Sequence, residues 1–204
     1  MKKDRNNRKA QILQALARML ENEVGGKITT ARLAQEVGVS EAALYRHFPS
    51  KGKMFEGLIE FIEETLVTRM KAIREAEAGL MAQTDAVIVL WLTFAQRNPG
   101  MCRVLMGDAL VGENARLRQR VSQLFARLET ELRTWVREAE LRAGERLTTT
   151  AAAFANFIVT FVEGQIHALV RHGYDYDAMR YWDEQREILH AFMADRVAQS
   201  APVN

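Results

Sequence analysis

Cysteine, proline and long apolar runs are all scarce in this chain. The one cysteine, Cys102, excludes an internal disulfide and suits a reducing compartment. Only three prolines in 204 residues, with few runs of β-branched residues, favour helices throughout. The longest apolar run, residues 86–95, is half of the roughly 20 residues that a bilayer span needs, so no membrane requirement is expected. No apolar stretch follows the basic start Met1-Lys2-Lys3-Asp4-Arg5, so no signal peptide is expected and a cytoplasmic protein is. Catalytic patterns are missing too. His47, His167, His172 and His190 show no metal-ligand spacing, and neither a nucleophile elbow nor a dinucleotide glycine motif occurs. Gly25-Gly26-Lys27 lacks the earlier glycine and following Ser/Thr of a phosphate loop, and reads as a turn. The expectation is no catalytic residue, no metal, no cofactor and no enzyme.

What is present is unevenly placed. Residues 1–53 hold eleven Lys/Arg against five Asp/Glu, net +6, while the remainder holds seventeen against twenty-one, net −4. A basic end on a mildly acidic body is the footprint of a terminal nucleic-acid-binding module. Within that end, residues 28–48 read as two short helices around a tight turn. Leu33, Ala34 and Val37 mark a buried helical face, Gly38 supplies a left-handed exit and Val39 fills the angle. Ser40 is an N-cap for a second helix, Glu41 suits its positive end, and Leu44 and Phe48 face the first helix. Tyr45, Arg46 and His47 then face outward. Two helices crossing steeply through a glycine turn describe a helix-turn-helix, whose second helix enters a DNA major groove.

The rest of the chain reads as helices of a bundle. An earlier helix carries Ile12, Leu13, Leu16 and Leu20, with a basic arm or solubilising terminus at residues 1–9. After the Pro49-Ser50 stop, residues 53–78 carry a stripe from Met54 to Ile73. Phe61 sits at its edge as a peripheral core residue or an exposed contact, and Glu63-Glu64 read as solvated. Gly79 and Thr84-Asp85 read as a break before an all-round apolar helix at 86–97, the central helix of the body or one docked on another molecule. A short helix at 101–110 and long helices at 114–142, 148–171 and 178–198 complete the pattern, with a polar hinge at 142–146. The 114–142 stripe suits a coiled coil or an antiparallel bundle, and the bundle is preferred.

Leu44-Tyr45-Arg46-His47-Phe48-Pro49-Ser50-Lys51, followed by Met54-Phe55, resembles the signature of the TetR family of bacterial DNA-binding regulators. The resemblance implies an all-α fold of about nine helices: an N-terminal helix-turn-helix domain at 6–66, its helix-turn-helix at about 29–48, and a helical dimerisation and partner-binding domain at 67–200. It implies a homodimer, paired through its last two helices, on double-stranded palindromic DNA. Ser40, Glu41, Ala42, Tyr45 and His47 are the candidates near bases or adjoining phosphates, with Thr29, Thr30, Arg32, Arg46 and Lys51 as backbone anchors.

Further residues, Ile28-Thr29-Thr30-Ala31, Val39-Ser40-Glu41-Ala42-Ala43, residues 57–63 and Arg97-Asn98-Pro99-Gly100, are similar to members of that family that act in nucleoid occlusion. This implies a nucleoid-associated protein that engages the cell-division protein FtsZ and inhibits septum assembly, with one or more dimers per DNA site. By motif position Phe61, Arg69, Leu90, Arg97 and Asn98 are the candidate FtsZ contacts. The alternative on the same scaffold is a ligand-responsive repressor with an apolar pocket among Leu90, Trp91, Phe94, Met101, Phe125 and Phe157.

Overall fold

A computed structural model describes residues 2–22, 28–77, 79–143, 147 and 149–197. Among them every regular element is helical: α1 (Lys2–Asn22), α2 (Thr30–Val37), α3 (Glu41–His47), α4 (Lys51–Ala76), α5 (Leu80–Arg97), α6 (Pro99–Leu105), a 3-10 turn (Asp108–Leu110), α7 (Ala115–Ala143), α8 (Ala151–Arg171) and α9 (Trp182–Val197). Helices α1 to α3 pack as a unit at one end, on apolar residues spaced by three and four, such as Ile12, Leu16, Leu33 and Leu44. Helix α4 starts in that unit and runs on into the body, where α5 to α8 pack together.

Two junctions fix the helix-turn-helix unit on the body. Along α4, Glu63 lies within hydrogen-bonding reach of Arg120 and, at 2.6 Å, of Arg127, both on α7. Across α1, the short helix α6 comes so close that a Cβ on Gly100 would lie 2.1 Å from the carbonyl oxygen of Ala17. Only glycine permits that approach. Beside it Arg103, 4% exposed, donates from Nη1 to the Leu20 carbonyl at 2.7 Å and from Nε to Asp108 at 2.5 Å. Cys102 lies in the same layer, where burial pushes its thiol up to about 12.

Several expectations are corrected. Helix α5 starts at Leu80 and includes Thr84 and Asp85, because Thr84 is satisfied within the helix and Asp85 by a partner on another helix. The Thr84 hydroxyl donates back to Leu80 O at 2.7 Å, Gln83 donates to Arg74 O and Glu77 O, and Asp85 pairs with His190 of α9 at 2.8 Å. Glu63 is buried in its ion pairs and not solvated. The stretch 101–110 is α6, opened by Pro99, plus a separate 3-10 turn split off at Gly107 with φ 79°. Helix α8 begins at Ala151, where the Thr150 side chain accepts from Ala153 N, and α9 begins at Trp182 after the turns at 178–181. Helix α1 reaches back to Lys2, through the expected basic arm. The expected turn at Gly25-Gly26-Lys27 and most of the polar hinge lie outside the described residues.

Helix α8 is long and apolar enough, by length and composition, to cross a bilayer, which the run-length reading missed. Its inner face, from Phe154 to Leu169, packs on the core, while Phe157, Gly164 and half-buried Phe161 lie on the other side. An apolar dimple of about 290 Å³ opens there between α8 and α9, lined by Phe157, Phe161, Trp182, Ile188 and Leu189 among others.

Candidate nucleic-acid interface and the α4–α5 groove

Local sequence chemistry builds the helix-turn-helix. Thr29 caps α2, its side chain accepting from Arg32 N at 3.3 Å. The helix ends at Gly38, φ 73°, whose N–H bonds to Gln35 O, while Val39 N bonds to Ala34 O. This left-handed exit is the reason for glycine at that position. Ser40 caps α3, accepting from Ala43 N at 3.2 Å, and Leu44 and Phe48 anchor the helix on the core. Phe48 stands just beyond the last turn of α3, as its C-cap. Ser50 repeats the device for α4, accepting from Lys53 N.

The outward side collects most of the expected DNA contacts. Arg32, Glu41, Ala42, Tyr45 and Arg46 are exposed, as are the capping residues Thr29 and Ser40, while Thr30, His47 and Lys51 are half-buried. Three of them form a hydrogen-bonded chain across the two helices. The Tyr45 hydroxyl donates to Thr30 Oγ1 at 3.2 Å, and Thr30 donates to Glu41 Oε2 at 2.9 Å. Lys51 does not point free into solvent: its ammonium lies 2.5 Å from Glu113 Oε1, on the loop before α7. Sequence reasoning missed Glu113. It is distant from the helix-turn-helix in sequence, and nothing in a single chain pairs it with Lys51.

A second feature lies on the far side of the same α4. Phe61, Arg69, Leu90, Arg97 and Asn98, named from two separate stretches of sequence, all line one groove between α4 and α5. Its volume is about 480 Å³. Phe61 is 39% exposed, which settles it as a surface residue, and Asn98 donates to Phe94 O at 2.8 Å across the end of α5. Thr65, Ile73, Ala86, Val89, Thr93 and Phe94 complete the lining. The missed residues had a signal. Phe61, Thr65, Arg69 and Ile73 recur every four residues, and α5 is apolar beyond what one core contact uses.

Among the described residues, those expected to line a ligand-responsive repressor's pocket lie apart. Trp91 and Met101 are buried in the core, while Leu90 and Phe94 line the α4–α5 groove. Phe125 lines a groove between α7 and α8, and Phe157 lies in the α8–α9 dimple. Helical spacing told which residues are apolar but not which neighbour each faces. Among the described residues no cluster of three metal-ligating side chains occurs.

Comparison with known proteins agrees with this architecture. Residues 12–58 match "Bacterial regulatory proteins, tetR family", and residues 79–194 match "Tetracyclin repressor-like, C-terminal domain" of the SlmA-like type. The chain is 52% identical over 189 residues to the nucleoid occlusion factor SlmA of Marinomonas sp. (strain MWYL1), covering 93% of this chain and 96% of that protein. It is 53% identical over 188 residues to the SlmA of Shewanella oneidensis, covering 92% and 95%. Among solved structures, a TetR-family regulator from Agrobacterium tumefaciens superposes with a TM-score of 0.74 at 21% identity, over 93% of this chain and 99% of that one. The Bacillus subtilis regulator FadR, in complex with stearoyl-CoA, does so with 0.76 at 17%, over 90% and 98%. These two share the fold. The chain belongs to the SlmA family of nucleoid occlusion factors, within the TetR-family helix-turn-helix DNA-binding regulators.

Proposed function

We propose that this protein binds palindromic chromosomal DNA as a homodimer and there inhibits FtsZ assembly over the nucleoid. It is a cytoplasmic, nucleoid-associated protein and not an enzyme. The observation that carries the reading is the convergence of Phe61, Arg69, Leu90, Arg97 and Asn98 on one groove. That groove flanks the same helix whose first turn follows the recognition helix. Its lining sets two guanidinium groups beside apolar walls, which suits a short segment of FtsZ carrying apolar side chains and carboxylates. Residues 6–66 supply the DNA-binding unit and residues 67–200 the dimerisation and partner-binding unit.

On DNA, α3 enters the major groove. At seven residues it is about 10 Å long, so few side chains reach bases. Ser40, Glu41, Ala42, Tyr45 and His47 are assigned near bases or adjoining phosphates, and Thr29, Thr30, Arg32, Arg46 and Lys51 to the backbone. The exposed apolar side of α8 and α9 supports pairing with a second copy, whose own α3 then lies about 34 Å away in the next groove. One or more such dimers occupy a site.

The test is co-sedimentation of the protein with FtsZ polymers, with and without its palindromic duplex. The expected result is that the protein engages FtsZ and that palindromic DNA changes polymer yield. A protein that ignores FtsZ under both conditions, and leaves DNA when a small apolar ligand is added, would reject the reading.

A further inference from the structure

We infer that Glu113, on the loop before α7, sets the DNA affinity of this protein by competing with phosphate for Lys51. The inference rests on the DNA-binding reading above. Lys51 is the first residue of α4, capped by Ser50, where backbone N–H groups and the helix dipole already favour an anion. A lysine there would strengthen the site, but its charge is taken. The Lys51 ammonium lies 2.5 Å from Glu113 Oε1, with the two side chains 24% and 19% exposed, and 5.7 Å from the Phe55 ring centroid. Lys53, two residues on, pairs with Glu56, which also faces Arg116 at 3.9 Å. Both lysines of the first turn are therefore neutralised in the free protein.

The carboxylate is held in place by its own loop. Gly112 takes φ 79°, Glu113 N donates to Leu110 O at 3.1 Å, and the Asn114 side chain accepts from Arg116 N at 2.9 Å to start α7. The contact therefore joins the body to the DNA-facing end of α4. Farther along the α4–α7 seam, Glu56 and Glu63 on α4 face Arg116, Arg120 and Arg127 on α7, and at its far end Arg74 on α4 pairs with Glu138 on α7.

DNA carries about one negative charge per 1.7 Å of axis, and its phosphates compete for any cation at the interface. When phosphate takes Lys51, Glu113 is left as an unpaired carboxylate beside a polyanion. Binding therefore works against the Lys51–Glu113 pair, whatever the base sequence. Glu113 lowers affinity uniformly, and DNA engagement releases the 111–114 loop.

A double-mutant cycle on DNA affinity tests this, using the full chain, its palindromic duplex and an unrelated duplex of equal length. Glu113→Gln removes the charge but keeps an acceptor for the loop. Binding of both duplexes is expected to tighten by at least about two- to fivefold, the scale of a surface ion pair, since this pair is half-buried. In a Lys51→Ala background the same change is expected to have no effect. A Glu113→Gln protein that binds no tighter, or a gain that persists without Lys51, would overturn the assignment. Failure of the wild-type protein to bind either duplex would reject the DNA reading and this assignment with it.

Discussion

The Arg103 guanidinium and the Leu20 carbonyl meet at 2.7 Å where α6 crosses the end of α1. The contact satisfies a helix C-terminal carbonyl with a cation, the favourable sign for that end of the dipole, in a place almost without water. It also ties the DNA-binding unit to the body without passing through α4. Arg103→Met is expected to destabilise the protein by about 2–3 kcal/mol, because a buried acceptor loses a charged donor. Urea unfolding checks this. A loss below 0.5 kcal/mol, by rough order of magnitude, would show the junction to rest on apolar packing alone.

The Glu63 clamp makes a pH prediction. Burial pushes the carboxyl up, but the hydrogen bonds and charges of Arg120 and Arg127 outweigh it and hold Glu63 below its ordinary value. A carboxylate lowered in the folded state stabilises the protein above its unfolded pKa of about 4.3, and that stability is lost as pH falls through the folded value. The expected outcome is a steep loss of stability on acidification that becomes shallower in Glu63→Gln, measured by urea midpoints at a series of pH values. Parallel pH curves for the two proteins would contradict it.

The same residue shows what one sequence can and cannot carry. Capping residues Thr29, Ser40 and Ser50 and the exit at Gly38 act within four residues of themselves, so the helix-turn-helix was legible almost residue by residue. Glu63 meets arginines 57 and 64 positions away, and Asp85 meets a histidine 105 positions away. Such partners remove the cost that makes a glutamate look solvated or a Thr-Asp pair look like a helix break. The groove was half legible: periodicity marked surplus apolar faces on α4 and α5, but only the fold brings Phe61 and Arg97 to one place.

The recognition helix is short enough for its cap to matter. Ser40→Ala removes the acceptor for Ala43 N and is expected to cost about 1 kcal/mol of stability. DNA affinity is expected to fall as well, since fraying begins at the end of α3 that carries Glu41 and Ala42. Fluorescence anisotropy on a labelled duplex, beside urea unfolding, measures both. Unchanged affinity would place the recognition surface elsewhere.

The α8–α9 face predicts the oligomeric state. Phe157 and Ile188 are 52% and 70% exposed beside the apolar dimple, an arrangement that favours burial against a second copy. Phe157→Asp is expected to give a monomer by sedimentation velocity. Its affinity for a palindrome should fall about 100-fold or more, because the two half-sites are no longer engaged by one linked pair. A variant that remains dimeric would move the interface off this face.

The most direct measurement is a comparison of two affinities in one variant, Phe61→Ala. Phe61 lies on the groove side of α4, two turns or more from the residues assigned to DNA. The expected result is unchanged affinity for the palindromic duplex together with loss of co-sedimentation with FtsZ polymers. A variant that still co-sediments with FtsZ as the wild type does would contradict the assignment of the α4–α5 groove as the partner site.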